Sequence, residues 1–191
     1  MKKLLAPLFI LFFGICSAQN FNAGFIGGLT MSQISGDGYS GYNKVGPRIG
    51  AYVSYPLKKK MNLQIEIQYL QKGSKENDVN ANNFYSYKLD YLEIPFTLNY
   101  QIKEFIYLES GIGSNYLLGF NESESNSDPN KFSMDFILGT QYQFNKNVLF
   151  NFRFAHSLTR IRKHSSNGIW GLNRGEYSNL ISLALIYQIS R

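Results

Sequence analysis

The 191-residue sequence holds one cysteine, one tryptophan and five prolines. Cys16 lies so near the start that the body of the chain has no thiol chemistry and no disulfide. After Ile15 no segment is apolar enough, over the roughly 20 residues required, to cross a bilayer as a helix, and the mean hydropathy is −0.22. Charge is sparse as well, at 17% of residues. The net charge of +6 gathers into no basic stripe, so no nucleic-acid partner is expected. A surface rich in anionic lipid is the more natural partner. No metal and no cofactor is expected. The run Asn121–Asn130 (NESESNSDPN) has the residue types of a weak cation site, but its ordinary role is that of a solvated loop.

What the sequence has in quantity is aromatics: 14 Tyr and 15 Phe. Many aromatics without long apolar runs fit strands that are greasy on one face only. The first residues stand apart from this pattern. Lys2 and Lys3 precede an apolar stretch from Leu4 to Ile15, too short to span a membrane, and Cys16-Ser17-Ala18 supplies the small residues a signal peptidase reads. Residues 1–18 are therefore expected to be a cleaved signal peptide, and 19–191 the mature domain. The alternative is a lipoprotein signal lipidated at Cys16. Phe13 and Ile15 are bulky for it.

From there on, period two dominates. Leu63, Ile65, Ile67 and Tyr69 alternate with Gln64, Glu66 and Gln68, while Leu92, Ile94, Phe96, Leu98 and Tyr100 alternate with Glu93, Thr97 and Asn99. Phe132, Met134, Phe136 and Leu138 oppose Ser133 and Asp135; Phe150, Phe152 and Phe154 oppose Asn151 and Arg153; Ile181, Leu183, Leu185 and Tyr187 oppose Ser182, Ala184 and Gln188. Side chains of a strand alternate between its faces, so each segment has one apolar and one mostly polar side. With Phe21–Ile34, Val45–Tyr55 and Phe105–Gly119 the strands number eight.

Their connections alternate in length. Pro56–Asn62, Gln101–Glu104 and Asn145–Asn147 are short, whereas Ser35–Lys44, Ser74–Lys88, Asn121–Asn130 and Thr159–Glu176 are long and polar. Tyr55, Tyr100, Phe105, Tyr142, Phe144 and Tyr187 collect beside the short turns, as in an interfacial girdle. Short inner turns, long outer loops and an even strand number predict an all-β fold: an eight-stranded antiparallel up-and-down transmembrane β-barrel of the bacterial outer membrane. The competing architecture is a soluble β-sandwich or lipocalin-like barrel, whose strands alternate in the same way but bury the apolar face. Pro95 falls mid-strand and has no N–H for a ladder, which predicts a bulge or a local break there.

The segments Gln64–Gly73 (QIEIQYLQKG), Leu89–Tyr100 (LDYLEIPFTLNY), Tyr107–Leu118 (YLESGIGSNYLL) and Arg153–Ile161 (RFAHSLTRI) resemble the PorT-type outer-membrane β-barrel family, with Tyr91–Pro95 the most recognisable piece. The resemblance spans essentially the whole mature chain. It implies an outer-membrane barrel in contact with lipid, lipopolysaccharide and the barrel-assembly machinery. Other envelope proteins are possible partners, since the founding member assists a protein secretion system.

Two constellations could carry chemistry. Arg48, Glu66, Glu93, Glu109, Asp135 and Arg153 all lie on polar strand faces. If the apolar faces meet lipid, these six point into a lumen just wide enough for side chains to fill, and buried charges there must pair. A salt-bridged plug is the structural reading, and a proton or solute path the functional one. Four acids exceed two arginines, so Lys88, a water or a protonated carboxyl is expected to complete the balance. The second is His164-Ser165-Ser166-Asn167, with Glu176 following. It resembles the H-x-S-N element of the barrel enzymes that remove an acyl chain from lipid A. That resemblance implies His164 as base, Ser166 as nucleophile and Glu176 as orienting acid. A chance match in a Ser/Asn/Gly-rich loop is the bland alternative. His156-Ser157 is a weaker pair, because neighbouring strand residues face opposite sides. A wide pore is excluded, since porins need about twice as many strands.

Overall fold

The computed structural model describes residues 21–36, 41–78, 83–122, 128–162 and 175–189. The expected signal peptide lies outside them, and so do His164 and Ser166. Eight strands follow one another: β1 (Asn22–Ser35), β2 (Lys44–Lys58), β3 (Met61–Asp78), β4 (Asn83–Lys103), β5 (Ile106–Glu122), β6 (Phe132–Gln143), β7 (Val148–Ser157) and β8 (Tyr177–Ile189). Each pairs antiparallel with its neighbours in sequence, and β1 pairs with β8 to close the barrel. Closure pairs every strand of the wall on both sides, which is the condition for a sheet to cross lipid.

The apolar faces point outward. Phe25, Leu29, Ile49, Ile67, Ile94, Phe96, Phe136 and Leu185 are exposed on the wall, while Arg48, Glu66, Thr97, Glu109, Asn151 and Arg153 are buried inside. This overturns the soluble sandwich or lipocalin-like alternative, because a soluble monomer does not expose a continuous apolar belt to water. All six girdle aromatics are exposed at the end with the short turns, with Tyr142 and Phe144 edge to face at 5.0 Å.

The loop expected over Ser74–Lys88 is mostly strand. β3 runs on to Asp78 and β4 begins at Asn83, in continuous register from Gln68↔Glu93 to Asp78↔Asn83. The physical reason lies in an inversion of pattern along one strand. On β4, Tyr85, Tyr87, Leu89 and Tyr91 are buried inside, with Lys88 and Asp90 on the outer face. From Leu92 onward the outer face is apolar and the inner one polar. The hairpin thus leaves lipid near Asp90 and continues as an ordinary water-facing ribbon, whose polar outer face resembles a loop in sequence.

Pro95 sits opposite Gly113 on β5 in unbroken register. On its β3 side the ladder passes from Ile65↔Phe96 to Gln68↔Glu93 without pairing Glu66 or Ile67. The register is the same on both sides of this gap, so the strand is not bulged there. The missing N–H is accommodated by a local break. The bulges on β4 lie elsewhere, between Asp90 and Tyr91 and between Gln101 and Lys103.

Candidate functional site

The inward faces fill the lumen in layers. At the turn end, Ile26, Tyr52, Leu149, Ala184 and Ile186 form a small apolar cluster beside a polar vestibule of about 150 Å³ rimmed by Asn22, Asn62, Asn99 and Gln143. Above it stands the charged layer. Arg153 on β7 grips Glu66 on β3 with both ends of its guanidinium, Nη1 to Oε2 at 3.1 Å and Nη2 to Oε1 at 2.6 Å. The same Nη2 pairs with Glu109 on β5, whose other oxygen accepts from Asn151 Nδ2 at 2.7 Å. Arg48 on β2 donates to Gln68 Oε1 at 2.8 Å, Asn151 Oδ1 at 2.8 Å, Ser182 Oγ at 3.0 Å and Glu66 Oε2 at 3.4 Å. Gln64 Nε2 donates to Glu66 Oε1 at 2.7 Å. One network therefore ties β2, β3, β5, β7 and β8 across the barrel axis. Bidentate, charge-assisted bonds are the strong ones, and between buried side chains they hold the walls in fixed register.

Of the six predicted lumen residues, Arg48, Glu66, Glu109 and Arg153 meet in this network. Glu93 and Asp135 do not join it directly. Glu93 accepts from Gln68 Nε2, and Gly113 across the ladder leaves room for it, since a Cβ there would lie 2.6 Å from its Oε1. Asp135 pairs with Lys72 on β3. Lys72 also donates to Asn115 Oδ1 at 3.2 Å and stands 5.2 Å from the Tyr91 ring centre. Lys72 was the cation missing from the sequence-based inventory. Counting by twos from Glu66 through Gln68 and Leu70 reaches it, but apolar Leu70 interrupts the polar face and hid the parity. Lys88, the expected balancing cation, faces outward and pairs with Asp90 at 3.2 Å.

Above the charges an apolar layer closes the outer end, formed by Ile34, Leu70, Tyr85, Tyr87, Leu89, Tyr91, Ile137 and their neighbours. It is capped by Arg162, whose guanidinium lies 4.7 Å from the Tyr87 ring and 3.5 Å from Glu176 Oε1. Glu176 is thus buried at the outer end of the lumen beside Arg162. His156 and Ser157 take opposite sides of the wall. His156 Nδ1 lies 2.6 Å from Asn179 Oδ1 on the outer face, while the inward Ser157 Oγ accepts from Ser178 N at 2.6 Å. Among the described residues no group of three or more His, Cys, Asp or Glu could hold a metal.

A second feature lies on the outside of the wall, at the loop end. Asn130, Phe132, Leu158, Thr159, Arg160 and Tyr177 line an open groove of about 610 Å³. Its edges are stitched by Asn130 Nδ2 to Arg160 O at 2.8 Å, Asn130 N to Ile161 O at 2.7 Å and Met134 N to Thr159 Oγ1 at 2.9 Å.

Residues 17–163 match the family model described as "Outer membrane protein beta-barrel domain". Among solved structures, the crystal structure of Ail, the attachment invasion locus protein of Yersinia pestis, is similar at a TM-score of 0.53 and 16% identity, covering 88% of this chain and 98% of that one. The same Yersinia pestis protein in a phospholipid bilayer nanodisc gives a TM-score of 0.51 at 16% identity, with 88% and 99% covered. At such identities the likeness is one of fold. No curated protein matches the sequence.

Proposed function

The chain belongs to the outer membrane protein beta-barrel domain family, and from that premise we propose that it is a non-enzymatic barrel, sealed along its axis, that acts structurally or by binding at the outer surface. Within the family we place it among PorT-type barrels, on the four segments that resemble them. The observation that carries the reading is the Arg48–Glu66–Arg153–Glu109 network, which crosses the axis and ties opposite walls. A solute passing through would have to separate fully buried ion pairs, and breaking one such pair costs about 3–5 kcal/mol. Among the described residues, what remains accessible is the outer wall and the rim. The hydrolase alternative needs Glu176 to orient His164. Burial of Glu176 beside Arg162 argues against that role.

Conductance provides the test. The protein reconstituted into planar bilayers should leave the membrane as tight as a protein-free control across a wide voltage range. A steady single-channel current would overturn the sealed-barrel reading.

A further inference from the structure

The mouth at the short-turn end pairs a neutral interior with a basic rim. Lys58, Lys59 and Lys60 stand at the β2–β3 turn, Lys103 at the β4–β5 turn and Lys146 at the β6–β7 turn, all exposed. Among the described residues of these three turns, Glu104 is the one acid. Residues 1–20 and 190–191, which flank the first and last strands in sequence, hold Lys2, Lys3 and Arg191 and no Asp or Glu, so they do not reverse the sign of this face. The rim is also held together. Each turn is stitched to the next strand round the wall: Gln101 N donates to Lys60 O at 2.8 Å, Gln143 N to Phe105 O at 2.8 Å and Gln188 N to Asn147 O at 2.7 Å.

Inside the rim, the vestibule of about 150 Å³ is lined by carboxamides and tyrosines with an apolar patch of Leu149 and Ile186, and by no charged side chain. Three of its amides have their orientation set by chemistry. Glu66, paired with two guanidiniums, only accepts, so Gln64 turns its Nε2 to that carboxylate at 2.7 Å. The Gln64 carbonyl then takes Asn99 Nδ2 at 2.9 Å, and the Asn99 carbonyl takes Gln141 Nε2 at 3.5 Å. Each amide keeps further hydrogen-bonding capacity, and the Gln141 carbonyl is the acceptor at the open end of the chain. At about 30 Å³ per water, the space takes roughly five waters, or the end of one sugar ring.

We propose that this mouth binds an N-acetylated amino-sugar polymer that carries carboxylates, the chemistry of a cell-wall glycan. With the short turns inward, the vestibule opens to the periplasm. The acetamido group of a terminal sugar donates its N–H to the Gln141 carbonyl and lays its methyl on Leu149 and Ile186. Ring hydroxyls meet the spare donors and acceptors of Asn99 and Gln64, while the carboxylates stay outside, against Lys59, Lys60 and Lys103. An acidic polypeptide would use the rim and leave the amides idle. A membrane surface would meet the lysines from the side and could not reach the barrel axis. A ligand neutral at its tip and anionic behind it uses both. The inference concerns the inner mouth, whereas the sealed axis and the outer surface carry the proposed function, so either fails without the other.

The test uses the full barrel in nanodiscs of zwitterionic phosphatidylcholine, which takes lipid charge out of the assay. It is titrated with a soluble wall fragment, the disaccharide of N-acetylglucosamine and N-acetylmuramic acid bearing its stem peptide. Chitobiose, an acetamido sugar without carboxylates, and triglutamate, carboxylates without a sugar, are the comparison probes. The fragment should bind at least about tenfold more tightly than either, the scale of one charge-assisted contact. Lys59→Glu combined with Lys60→Glu should lower its affinity about tenfold and flatten its salt dependence. Gln141→Leu should bring the fragment down to the level of triglutamate. Lys88→Glu, toward the other end of β4, should change nothing. Heat-modifiable gel mobility verifies that each variant is folded. No binding of the fragment, equal binding of triglutamate or of chitobiose, or unchanged affinity in the double lysine variant or in Gln141→Leu would each overturn the proposal.

Discussion

Arg153 is the residue on which the lumen turns, because it bridges two carboxylates on two other strands, Glu66 and Glu109. Truncating it leaves both acids buried with weaker compensation. Arg153→Ala should lose about 3–5 kcal/mol, seen as an earlier urea midpoint for the protein in liposomes. Lys146→Ala, in an exposed turn, should shift it hardly at all. Glu93 provides the contrast. Its hydrogen-bond partner is a neutral amide, Gln68 Nε2, and a glutamine in its place still offers an oxygen to that donor. The described lumen residues also hold more acids than cations: Glu66, Glu93, Glu109, Asp135 and Glu176 against Arg48, Lys72, Arg153 and Arg162. Glu93→Gln should therefore keep the midpoint within about 1 kcal/mol of the parent, while Glu66→Gln, which takes the counter-charge from two guanidiniums, should not. A Glu93→Gln midpoint as low as that of Arg153→Ala would show that Glu93 carries ionic load the geometry does not assign to it.

Among the elements, β4 departs furthest from its sequence pattern. Its alternation was legible over Leu92–Tyr100, where apolar residues face lipid, and was lost over 83–91, where the same alternation faces water with the opposite sense. The strand was unrecognised there because its outward residues, such as Lys88 and Asp90, have loop-like composition, while its inward tyrosines were visible only once the neighbouring wall was in place. Pro95 behaves as its covalent structure demands. The gap in the β3 ladder opposite it costs hydrogen bonds that any other residue could make. Pro95→Val should close the gap and raise stability by about 1 kcal/mol, the new amide at position 95 donating to the Glu66 carbonyl opposite it and so exchanging slowly. Fast exchange of that amide would assign the gap to strand twist rather than to the proline.

At the scale of the whole molecule, the mature barrel should begin at Gln19, since Lys2–Ala18 has the charge, length and small residues of an exported leader. N-terminal sequencing of the outer-membrane fraction checks this, and an intact Met1 terminus would refute it. Overexpression should leave lipid A acylation unchanged by mass spectrometry. Loss of an acyl chain that Ser166→Ala or His164→Ala restores would establish the hydrolase instead. By itself the sequence determined the strand number, the alternation, the long and short connections except that between β3 and β4, and five of the charges that became ion pairs, because period two and turn chemistry are local properties of the chain. Only the tertiary structure decided which face met lipid, since alternation is symmetric between a barrel and its inside-out counterpart. It also decided the pairing. Lys72 meets Asp135 and Arg153 spans Glu66 and Glu109 through the lumen, over sequence separations that no local pattern encodes, because closing the sheet is what brings those strands face to face.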